Sequence, residues 1–128
     1  MNKEVILEEL HYIEKLLDDC LEKMEELLGF TPYRILWNLF FPAGQFIQRT
    51  STAKAIAGNL VTVDSRLHDM IKTLEELKDP LSITLSPLLD SNLIEIGNQL
   101  VDLPERVQYM IHQIEDFRNR VTKITSKI

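Results

Sequence analysis

The sequence predicts an all-α protein, an antiparallel up-down helical bundle. It should contain three long helices, the third kinked or broken near Pro104, and a short aromatic helix near residues 32–40. A full break at Pro104 would make the count four. Three observations carry this. Apolar residues recur in alternating steps of four and three along most of the chain, the heptad spacing that keeps one helix face apolar. Only 4 glycines and 5 prolines occur in 128 residues, and most fall between the apolar seams. A composition of 45% hydrophobic and 27% charged residues is that of an ordinary globular protein. A chain of this length forms one domain, residues 1–128, with a core large enough to dispense with disulfides or metals.

Helix one is expected over residues 3–28. Asn2 is a fitting N-cap and Gly29 a fitting stop, as caps of those types satisfy the end groups of a helix. Its seam is Ile6, Leu10, Ile13, Leu17, Cys20, Met24 and Leu27, and Leu16, Leu21 and Leu28 widen the face. A face that broad suits a bundle core. Thr31-Pro32 then reads as a cap and first helical residue. The short helix should run to about Phe40, with Pro42 and Gly44 ending it.

Helix two is expected over residues 52–78, capped by Ser51 or a neighbouring threonine. Ile56, Leu60, Val63, Leu67, Met70, Leu74 and Leu77 form its seam. Ala53, Ala55, Ala57 and Gly58 make its first turns small, so another element can approach closely, and residues 37–46 are expected there. Asp79-Pro80 should end the helix, since the residue before proline disfavours the helical conformation.

Residues 81–85 read as a connector and Ser86-Pro87 as the start of helix three. The third seam is Leu89, Leu93, Ile96, Leu100, Leu103, Val107, Met110, Ile114, Phe117, Val121, Ile124 and Ile128. It keeps its phase across Pro104. An interior proline costs a helix about 3 kcal/mol, and a straight helix over 87–128 would be roughly 60 Å long against roughly 40 Å for the others. A kink or break there fits a compact bundle.

Charge is unevenly distributed. The net charge is −6 and the pI about 5.0, which argues against a general nucleic-acid binder. Helix one is strongly acidic, and its outer face reads as a solvated surface. From Leu27 to Val63 there is no carboxylate, only Arg34, Arg49 and Lys54. The single cysteine excludes an intrachain disulfide and fits a reducing compartment. The N-terminus is acidic from Glu4, with no basic region followed by an apolar run, so no signal peptide is expected. The longest uncharged run, 35–48, is shorter than the roughly 20 residues a membrane-spanning helix needs. A soluble, cytoplasmic protein is the expectation.

The stretch Tyr33–Ile47 is the most distinctive. It holds the only tryptophan, Trp37, with Tyr33, Phe40, Phe41 and Phe46, and Arg34 and Arg49 lie in and beside it. Aromatic residues and arginine are the types that dominate binding hot spots. The simpler reading is an apolar plug closing one end of the bundle, since monomers rarely expose large apolar patches; a partner-docking or membrane-interface surface is the functional reading. The partner-binding candidates are therefore Tyr33, Arg34, Trp37, Phe40, Phe41, Phe46 and Arg49.

Other motifs are weaker. Glu8-x-x-His11 has the spacing used in di-metal bundles, but His68 and His112 lack a carboxylate at that spacing and Glu8 and His11 flank the seam. Asp64/His68 and His112/Asp116 read as surface pairs. Cys20 lies on a seam beside acids, which disfavours a reactive thiolate. Arg118, Arg120, Lys123 and Lys127 suit a helix C-terminus, with an acidic partner as the other reading. No catalytic residues, metal ligands or cofactor site are expected.

The leading functional expectation is a non-enzymatic protein-interaction or structural module with a protein partner or self-association, since long seams can serve helices of a second chain. The alternative is a peripheral membrane-interface protein anchored through Tyr33–Ile47. A metal-dependent enzyme would rest on Glu8 and His11 alone.

Overall fold

The computed structural model describes residues 2–30, 42–102 and 107–128. The described residues form an all-α bundle. The short helix expected near residues 32–40, and Pro104 with its kink or break, lie outside them.

Helix α1 spans Lys3–Phe30. Its start is the expected one. Asn2 Oδ1 accepts a hydrogen bond from the Val5 backbone N–H at 3.0 Å, satisfying one of the donors that a first turn leaves open. Gly29 does not stop the helix, which continues through it to Phe30. A helical glycine costs only about 1 kcal/mol, so glycine alone does not end a helix.

Helix α2 spans Pro42–Glu76, so it begins about ten residues before the expected start at Thr52. Ser51 lies inside it rather than capping it. Pro42 and Gly44 were expected as breakers, yet both lie in its first turn. Proline is tolerated in a first turn, where its missing N–H has no partner to lose and its φ is already helical.

The C-terminus of α2 closes with a reciprocal pair of backbone bonds. Lys78 takes a left-handed φ of 57°. Its N–H donates to Glu75 O at 3.0 Å, and the Asp79 N–H donates to Leu74 O at 2.9 Å. This is a Schellman motif with lysine where glycine is usual. Leu77 was assigned to the seam but is 56% exposed, because the helix has already ended before it.

Beyond Pro80, a short helix α3 (Leu81–Leu85) runs into a 3-10 helix over Ser86–Ser91. The connector is thus helical, and Pro87 begins a 3-10 turn rather than a long helix. Asn92, with φ of 54°, reverses the backbone. Asparagine visits this region more readily than most residues. Helix α4 (Leu93–Asp102) and helix α5 (Val107–Lys127) follow.

Helices α1 and α2 are antiparallel. Cys20 meets Ile56, Asp19 meets Asn59 and Glu9 meets Arg66, so rising numbers on one helix face falling numbers on the other. α4 packs chiefly on α2, and α5 chiefly on α1. All seven seam residues of α1 are at most 1% exposed. Ile56, Leu60, Val63, Leu67, Met70 and Leu74 of α2 join them, with Leu93, Ile96 and Leu100 of α4 and Val107, Met110, Ile114, Phe117 and Val121 of α5. Leu85 and Leu88 close the core beneath the short helices.

The small residues Ala53, Ala55, Ala57 and Gly58, which lie inside α2 rather than at its start, have a partner. An ideal Cβ on Gly97 of α4 would lie 3.0 Å from the Ala57 Cα and 3.1 Å from its Cβ. The close approach expected at Ala57 is therefore made by α4. Of residues 37–46, expected to pack there, 42–46 belong to the same continuous helix and so do not fold back on it, while 37–41 lie outside the described residues.

Candidate functional site

Tyr33, Arg34, Trp37, Phe40 and Phe41 fall outside the described residues. Phe46 and Arg49 belong to the first turns of α2. Phe117 is the only aromatic in the described core, while Tyr12 and Tyr109 are 41% and 61% exposed. Among the described residues, the core consists of aliphatic chains with Met24, Met70, Met110, Cys20 and Phe117.

The most organised polar cluster lies where α1 meets α2. Arg66 Nη1 donates to both Glu9 carboxylate oxygens, at 2.9 and 3.0 Å. The Arg66 guanidinium also stacks 4.2 Å from the centre of the Tyr12 ring, a cation–π geometry. The Glu9 carboxylate holds Arg66 in its charged form, raising its pKa further. Glu9 immediately precedes seam residue Leu10, and Arg66 precedes Leu67. Such flanking positions carry the interhelical ion pairs of heptad structures. An open groove of about 380 Å³ runs beside the pair, lined by Glu9, Arg66, Asp69, Met70 and Thr73. The pairing ties α1 to α2 and fixes their register.

One side of the same interface carries a second polar contact. Asp19 accepts from Lys23 Nζ at 2.6 Å and from Asn59 Nδ2 at 2.8 Å. These two donors, Lys23 first, hold the Asp19 carboxyl below the usual carboxylate range.

Cys20 is fully buried, with its Sγ donating to Ile56 O at 3.8 Å. Burial pushes its thiol up to about 11, the reverse of what a nucleophile requires. Of its acidic neighbours, Asp19 acts in the same direction, but burial is the larger cause.

The histidines lie on the surface. Glu8 is exposed, and His11 Nδ1 sits 4.0 Å from Glu14 Oε2. His68 Nδ1 lies 2.9 Å from Asp64 O and 3.4 Å from Asp64 Oδ2, the expected surface pair. His112 pairs with Glu115 at 3.8 Å rather than with Asp116, since the i,i+3 neighbour on a helix is as close as the i,i+4 one. Among the described residues, no group of three or more histidine, cysteine or carboxylate side chains converges on a point.

The cations of the last helix are partly committed to the fold. Arg118 donates to Asp18 of α1 from Nε at 2.6 Å and from Nη2 at 3.2 Å. Arg120 donates to the Pro87 carbonyl at 3.1 Å, fastening α5 to the 3-10 helix. Lys123 and Lys127 are exposed. Arg66, Arg118 and Arg120 were not assigned these interhelical roles from sequence, because each contact joins residues far apart in the chain. Heptad phase was the one clue, and it applied to Arg66.

No protein-family model matches the chain, and no curated protein or solved structure is significantly similar to it. Among the described residues, no helix is long and apolar enough to cross a membrane.

Proposed function

We propose that this chain is a non-enzymatic protein-interaction module of the cytoplasm. In this reading the helical bundle is the scaffold. The stretch 33–47, with Arg34 and Arg49, is the surface that takes a protein partner or a second copy of the chain. The carrying observation is the crowding of aromatics with arginine in one stretch of sequence that holds no carboxylate. Six of the nine aromatics, Phe30, Tyr33, Trp37, Phe40, Phe41 and Phe46, crowd one stretch of sequence. Such concentrations of aromatics with arginine supply the anchors of protein interfaces. The buried, free Cys20 supports a reducing compartment.

The seams themselves support binding elsewhere. The α1 seam is buried within a single chain, so a second copy would meet another surface. The test compares the natural protein with a Trp37→Ser, Phe41→Ser double variant of unchanged far-UV circular dichroism. Light scattering over a range of concentrations reports self-association. Affinity capture with quantitative mass spectrometry reports other partners. The proposal expects an association that the double variant loses. Identical behaviour of the two proteins overturns it, and flotation of only the natural protein with anionic vesicles replaces it with a membrane-interface role.

A further inference from the structure

We draw no further inference here: the strongest candidate, the open groove between α1 and α2 lined by Glu9, Arg66, Asp69, Met70 and Thr73, carries nothing because Arg66 and Glu9 already satisfy each other and nothing in the structure shows what covers it.

Discussion

Gly58 and Gly97 are both interior helical glycines, and replacing each by alanine should shift stability in opposite directions. Alanine gains about 1 kcal/mol over glycine in a helix interior. At Gly58 an added Cβ meets nothing within 4 Å, so Gly58→Ala should realise most of that gain. At Gly97 the added Cβ would stand 3.0 Å from the Ala57 Cα, 3.1 Å from the Ala57 Cβ and 3.6 Å from Leu60 Cδ1. The nearest atom is backbone and cannot rotate away, so α4 must retreat from α2 by a few tenths of an ångström. Overpacking of that kind costs about 1–3 kcal/mol. The propensity gain is thus cancelled or exceeded, leaving Gly97→Ala roughly 0–2 kcal/mol less stable. Gly97→Val should be worse, with its larger side chain and stiffer χ1. Urea unfolding followed by far-UV circular dichroism separates the cases. A change of 1 kcal/mol moves the thermal midpoint by roughly 3–5 °C for a domain of this size. If Gly97→Ala stabilises as much as Gly58→Ala, α4 does not cross α2 at Ala57 as closely as described.

Lys78→Gly should stabilise the protein by about 0.5–1 kcal/mol in the same assay, because it relieves a left-handed lysine at the end of α2 and only part of the gain is lost to glycine's freedom in the unfolded chain. A double-mutant cycle on Glu9→Ala and Arg66→Ala should show a favourable coupling that shrinks as salt is raised, and a coupling indifferent to salt would argue against the ion pair. Cys20 should react with thiol reagents far more slowly in the native protein than in urea. Its folded thiol titrates near 11 against an ordinary value near 9, so burial favours the neutral form. That contribution to stability is complete below the ordinary value and is lost as pH rises from about 9 to about 11. Cys20→Ala should flatten the alkaline fall in stability over that window.

The seams were the legible part of the fold. Ile6, Leu17, Leu60 and Leu100 were assignable to the core because a helix that must bury one face repeats its apolar residues at that period. Boundaries were harder to read. Pro42 reads as a stop because proline breaks helix interiors, but the same fixed φ makes it a good first residue. Leu77 continued the seam arithmetic beyond the helix, since periodicity does not register the turn made by Lys78. The 3-10 helix over Ser86–Ser91 was masked in the same way, as Leu89 kept phase with Leu93. Gly97 carried no sign of its partner, because Ala57 is forty positions earlier and only tertiary structure joins them. Of the candidate site, composition identified the stretch and its anchors, because aromatics and arginine crowd it while carboxylates are absent.

Trp37, the only tryptophan, allows the central claim to be tested directly. Its emission and acrylamide quenching should be recorded in dilute native protein, where self-association is minimal. A red-shifted emission that is readily quenched is expected, with a blue shift and protection when a partner or a second copy binds. A blue-shifted, poorly quenched emission that persists at the lowest concentration would make residues 33–47 a plug of the bundle, contradicting the proposal that they form its binding surface.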